Sequence, residues 1–183
     1  LGASKISKIS LAGGAAVSLC DGGFAGGAAW GEDDRIIFSG SKGLMQVPAN
    51  GGTPTALTTV NAAQGEVSHT RPQFLPGGRQ LLFTIQMKDA TVGSQFAVLD
   101  LAAGTYKTIV RGGANGRYLN SGHLTFVRGS TLFAIPFDLA SLTTRGTETP
   151  VIETISTSGP TGTADYAVST DGLLTYFMGT ATT

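Results

Sequence analysis

A single phrase recurs four times along the chain, and its spacing restricts the possible folds more than any other feature. Each copy places an aromatic or apolar residue before a four-residue turn and a short apolar strand after it. The copies are Trp30-Gly31-Glu32-Asp33-Asp34 before Ile36-Ile37-Phe38, Phe74-Leu75-Pro76-Gly77-Gly78 before Leu81-Leu82-Phe83, Tyr118-Leu119-Asn120-Ser121-Gly122 before Leu124-Thr125-Phe126, and Val168-Ser169-Thr170-Asp171-Gly172 before Leu173-Leu174-Thr175-Tyr176. The residues preceding the turns are 44, 44 and 50 positions apart. Gly, Asp and Asn supply the backbone conformations a tight turn demands, and the apolar runs supply strands. A period in the forties with a turn between two strands predicts the blades of a β-propeller.

Each unit has a second half of the same kind. Leu44–Pro48 and Thr55–Thr58, Phe96–Asp100 and Thr105–Val110, and Thr131–Asp138 and Pro150–Glu153 read as further strands bounded by Gly, Asn, Asp or Pro. Pro48 and Pro136 stand near the ends of their strands, where a missing N–H costs least. Residues 136–141 could form one turn of helix. The expected organisation is therefore all-β, with four repeat units of about 45 residues in four-stranded antiparallel blades. Its parts are a half-blade over 1–23, blades over 24–60, 66–112 and 113–155, and a half-blade over 163–183. The N-terminal piece matches the second half of a unit and the C-terminal piece the first half. Joining the termini would place Val168 and Trp30 a further 45 residues apart, so the two ends are expected to share one split blade and remove two open sheet edges. The same arithmetic fits half-blades completed by a second copy.

Composition narrows the function. With 12 basic and 12 acidic residues in 183, and 13% charged residues overall, the chain lacks the clustered Lys and Arg that nucleic acid or an anionic membrane requires. No apolar run is long enough to span a bilayer as a helix. The single cysteine, Cys20, allows no intrachain disulfide, and Leu19 before it is too large for a lipidation site. It reads as a buried thiol.

Aligned on these units, the chain resembles the TolB-like, WD40-like (PD40) propeller repeats of bacteria. Within them it is similar to the C-terminal sensor-type propeller of some bacterial serine/threonine protein kinases. The stretches that carry the likeness are 43–54, 65–79 and 119–138, and Ser169-Thr170-Asp171-Gly172 is the copy nearest the usual Ser-Pro-Asp-Gly turn. The other three turns depart from it. The resemblance implies further blades on one or both sides and a periplasmic or extracellular setting. It implies no kinase chemistry, since no phosphate-binding Gly loop, His-Arg-Asp or Asp-Phe-Gly triplet is present.

The densest polar group is Glu66, His69 and Arg71. These residues could line the central channel and hold a ligand, or they could pin the loop between two blades. His123 reads as a turn residue, and Glu32-Asp33-Asp34 as a turn without the ligand spacing of a calcium loop. Two histidines and one cysteine make neither a metal-ligand set nor a cofactor motif, so no metal or cofactor is expected. No Gly-x-Ser-x-Gly elbow appears. Trp30, Phe74 and Tyr118 are expected to pack between adjacent sheets. A non-catalytic binding or interaction module, taking a protein or small ligand on its loops, fits best. A self-assembling subunit is the alternative, and a hydrolase working at the channel mouth has the least support.

Overall fold

The strands follow the repeat closely because the apolar runs Ile36-Ile37-Phe38 and Leu81-Leu82-Phe83 can be buried only if both faces of a sheet are covered. The computed structural model describes residues 5–22, 26–158, 163–164, 166–169 and 172–179. Strands β1 (Lys5–Lys8) and β2 (Val17–Asp21) form a hairpin. Next, β3 (Ala28–Trp30), β4 (Arg35–Gly40), β5 (Gly43–Pro48) and β6 (Thr55–Ala56) make a four-stranded antiparallel sheet in chain order. A single 3-10 turn, Ala62–Gln64, leads to a second such sheet of β7 (Glu66–Phe74), β8 (Gln80–Met87), β9 (Gln95–Asp100) and β10 (Thr105–Arg111). The third sheet contains β11 (Ala114–Leu119), β12 (His123–Arg128) and β13 (Thr131–Asp138). Its outer position is shared by two short strands, β14 (Thr143–Thr144) on one end of β13 and β15 (Thr149–Ile152) on the other. Two small hairpins follow, β16 (Thr157–Ser158) with β17 (Thr163–Ala164), and β18 (Tyr166–Val168) with β19 (Leu174–Tyr176).

The sheets stack face to face, and alternation along each strand sends side chains to two different cores. In β4, Ile36 and Phe38 meet Leu19, Cys20, Val47 and Ala49 on one side. Ile37, between them, joins Leu44, Leu81, Phe83, Ile85, Ala97 and Leu99 on the other. The second sheet turns Leu82, Phe96 and Val98 toward Tyr118, Leu124, Phe126, Ile135 and Phe137 of the third. Val127 and Leu132 face Ile155 and Ala164, with Tyr166 and Leu174 packed beside them. Gly116 makes one of these contacts possible: a Cβ there would lie 2.3 Å from Cδ1 of Phe96. The first strands of successive sheets also touch, β3 against β7 and β7 against β11.

Three expectations need correction. The first is the split blade. Among the described residues β1–β2 and β18–β19 are separate two-stranded sheets, with no strand pairing between them. Each hairpin instead packs a face on the sheet next to it in sequence, the first on β4–β5 and the last on β12–β13. Parts of both end segments, 1–4, 23, 165, 170–171 and 180–183, lie outside the described residues. The second concerns Trp30, which is 54% exposed and donates its indole N–H to Asp34 at 3.4 Å, whereas Tyr118 is buried and Phe74 partly so. Among the described residues, no first strand of another sheet lies on the β3 side away from β7 for that ring to pack on. Third, no helix forms over 136–141, because β13 continues to Asp138, whose side chain caps the next turn at Ala140 and Ser141.

The aromatic positions separate experimentally. Phe96→Ala opens a cavity between the second and third sheets and should cost about 3–5 kcal/mol in chemical denaturation. Trp30→Ala should cost no more than about 0.5 kcal/mol, as at other surface sites. Equal losses would contradict this placement.

Candidate functional site

Two irregularities in β7 decide where the polar residues of this strand point. In a regular strand, residues three apart face opposite sides. A register shift between Glu66 and Ser68 cancels that alternation, and both Glu66 and His69 turn into the space between the first and second sheets. A second shift, between Thr70 and Gln73, contains Arg71 with φ 53° and sends its side chain elsewhere. The three residues grouped by sequence are thus divided by structure.

Glu66 and His69 belong to a buried network with two residues that sequence reasoning missed, Thr58 and Tyr106. The Leu44 N–H donates to Thr58 Oγ1 at 2.8 Å, leaving the hydroxyl proton for His69 Nδ1 at 2.7 Å. That arrangement leaves the proton of the neutral ring on Nε2, which faces Glu66 Oε2 at 3.0 Å. Glu66 also accepts the Asn61 N–H at 2.6 Å and the Tyr106 hydroxyl at 3.1 Å. The His69 ring is fully buried, with the Phe83 and Tyr106 rings 4.9 and 5.4 Å away. Burial holds the His69 pKa below its ordinary value, although the neighbouring Glu66 carboxylate works in the opposite direction. Burial and then the Glu66 charge push Tyr106 up to about 12. The order Thr58, His69, Glu66 has the outline of a hydroxyl, base and acid, but Thr58 is 8% and Glu66 7% exposed. Its evident work is to fasten the connector from β6 to the first strand of the next sheet.

Arg71 lies on the other side of this strand, in an open cleft of about 410 Å³ between the first strands of the sheets. Trp30, Gln73, Asn115 and Arg117 also line it. Its backbone N–H donates to Gly26 O at 2.6 Å. Gly27 (φ 92°), Arg71 (φ 53°) and Asn115 (φ 58°) are 44 residues apart and share the left-handed backbone. Counting from the fourth turn, Asp165 is the next equivalent position and lies outside the described residues. Gln73 joins the second sheet to the third, its amide donating to Tyr118 O and accepting from Tyr118 N, both at 2.9 Å. Asn115 donates to Ala164 O at 3.0 Å, and the Tyr166 hydroxyl donates to Asn115 O at 3.0 Å. Burial raises the Tyr166 pKa, while the charges of Arg117 and Arg71 pull it back, so both guanidinium groups act on the same phenol. Among the described residues, no three His, Cys, Asp or Glu side chains gather at one point. His123 stays at its turn, against Ser121.

No protein-family model and no curated protein matches the chain. Solved structures do. Regucalcin from Agrobacterium tumefaciens, described as a calcium-binding protein, aligns with a TM-score of 0.70 at 14% identity over 93% of this chain and 58% of its own. TolB from Acinetobacter baumannii aligns with a TM-score of 0.62 at 18% identity over 92% of this chain and 41% of its own. An oligogalacturonate lyase in complex with manganese aligns with a TM-score of 0.59 at 12% identity, over 77% and 41%. The chain therefore spans about half the length of these proteins. At such identities the likeness establishes the fold, a propeller-type repeat architecture, and nothing about activity.

The network has a pH signature. The unfolded chain takes up a proton on His69 as pH falls through about 6.5, while the folded chain resists until a lower pH. Its contribution to stability is complete above that ordinary value and lost as pH falls through the folded one. Denaturation at pH 7 and pH 5 should therefore show a smaller difference for His69→Gln than for the parent. An unchanged difference would remove His69 from this role.

Proposed function

We propose that the chain is a non-catalytic binding module built from four TolB-like, PD40-type propeller units, serving as the sensor-type propeller part of a larger bacterial protein. The observation that carries this reading is the separation of chemistry from access. Thr58, His69 and Glu66, which have acid–base character, are closed off between sheets. The open cleft presents Trp30, Arg71, Asn115 and Arg117, which suit recognition better than proton transfer. Neighbours of this fold include TolB and a lyase, so the fold leaves the choice to the site. A ligand or protein partner should raise the melting temperature with no turnover. Hydrolysis of any ester, peptide or glycoside that disappears in His69→Ala would favour the enzyme reading instead.

A second reading, self-assembly, is supported by the two end hairpins. Leu11 and Val17 are exposed near one end of the chain, and Leu173, Phe177 and Met178 near the other. Hairpins of two strands with uncovered apolar side chains are completed by further strands. Under this reading, light scattering should give multiples of the 18.6 kDa chain mass, falling to one in Phe177→Glu. A single-chain mass at every concentration disposes of it.

A further inference from the structure

We propose that β19 of one copy joins β1 of a second copy edge to edge, with Leu174 opposite Ile9, so that two hairpins from different chains make one four-stranded sheet. The inference rests on the self-assembly reading and gives it a surface and a register. The last hairpin repeats β3–β4. It pairs Val168 with Leu174, Ala167 with Thr175 and Tyr166 with Tyr176, where the first sheet pairs Trp30 with Ile36, Ala29 with Ile37 and Ala28 with Phe38. The first hairpin repeats β5–β6. It pairs Lys8 with Val17 and Ser7 with Ser18, where the first sheet pairs Gln46 with Thr55 and Met45 with Ala56. One end thus carries the first two strands of a sheet, and the other carries the last two. The join between β4 and β5 then dictates the register between copies. Its pairs Ile36 with Val47, Ile37 with Gln46 and Phe38 with Met45 become Leu174 with Ile9, Thr175 with Lys8 and Tyr176 with Ser7.

Both edges are open. Among the described residues β19 pairs only with β18, and β1 only with β2. Leu173 O accepts from Ser169 N and Phe177 O from Ser156 N, both at 2.8 Å, so these residues direct their backbone to the β18 side. Leu174 and Tyr176, between them, direct theirs to the free edge. In the first sheet Ala49 N donates across the matching edge to Asp34 O at 2.8 Å, which makes Val47, two residues earlier, face β4 as well. Ile9 stands in the place of Val47. The side chains show the same deficit: Val47 and Phe38 are 1% and 2% exposed, whereas their equivalents Ile9 and Tyr176 are 59% and 42% exposed. Leu11, in the place of buried Ala49, is fully exposed. Pairing would set Ile9 beside Leu174 on the core of Val127, Leu132 and Ile155, as Val47 sits beside Ile36. A second copy supplies each end with the half it lacks. Because the two edges differ, the contact is heterologous and every copy uses both ends.

Thr175 and Lys8 face each other without bonding across, a pairing with Cα atoms about 4.5 Å apart and within reach of a disulfide. Chains carrying Thr175→Cys, mixed with chains carrying Lys8→Cys and mildly oxidised, should give a covalent dimer of twice the 18.6 kDa chain mass. Thr175→Cys mixed with Ser7→Cys should give none above the parent, whose single Cys20 is buried, because a shift of one residue turns the side chain to the other face. Ile9→Pro removes a donor at the free edge and none within the hairpin. Light scattering should then give a single-chain mass, with strand content unchanged by circular dichroism. Equal linking at Ser7 and Lys8, no linking at either, or multiples of the chain mass retained in Ile9→Pro would overturn this pairing. The same holds if a chain carrying both Thr175→Cys and Lys8→Cys closes its disulfide internally. Where linking fails while the parent still scatters as multiples, self-assembly stands and uses another surface. A single-chain mass for the parent at every concentration removes both.

Discussion

A sheet that is apolar on both faces needs two neighbours, and this demand organises the whole chain. Ile37 and Phe38 are adjacent residues in one strand, yet they enter different cores, and the same is true of Leu82 and Phe83. No single sheet of this kind can bury itself, so stability is a property of stacking. Substitutions at these positions therefore act on the interface between two units rather than on one of them. Gly116 shows how tight the fit is, since the smallest possible side chain is required where the Phe96 ring meets the next sheet.

The polar groups of the Glu66 network and of Gln73 are tolerated at these interfaces because each is partnered. Glu66 accepts from His69, Asn61 and Tyr106, and His69 is occupied on both nitrogens. Such a network is costly when partial and specific when complete. Its geometry draws on four separate segments: the connector at Thr58, the turn at Asn61, the first strand and the outer strand at Tyr106. It therefore fixes how the second sheet sits against the first. Gln73 does comparable work at the next interface with a single amide, imitating the paired donor and acceptor of a strand at Tyr118.

Much of the fold was legible in the sequence because its signal is local and repeated. Turn residues and apolar runs mark the starts of β4, β8 and β12 to within one residue, although the strands continue two to four residues past the apolar triplets, and the second halves of the units follow. The site was less legible. Glu66, His69 and Arg71 looked like one cluster because they are close in sequence, and only two bulges, invisible to a period of two, reveal their division. Thr58 and Tyr106 were missed because nothing local marks a threonine in a connector or a tyrosine 40 residues away as a partner. The ends were misjudged for a different reason. A half-blade carries the same hydrophobic pattern whichever strand completes it, so period arithmetic finds the need for a neighbour and leaves its identity open.

The matched positions Gly27, Arg71 and Asn115 show how a repeat separates structural from functional demand. The backbone requirement is the same in all three, a left-handed residue that kinks the strand leading into each turn. The side chains differ completely: one is absent, one is a cation, and one ties its sheet to the next through Ala164. If the kink alone mattered, glycine would be the least strained solution at every copy. The departure at 71 places a charge at the common edge of the sheets, and the departure at 115 closes an interface. Three copies of one bend thus give a pivot, a charged group and a clasp, and this asymmetry within a symmetric frame is where a repeat protein acquires a particular site.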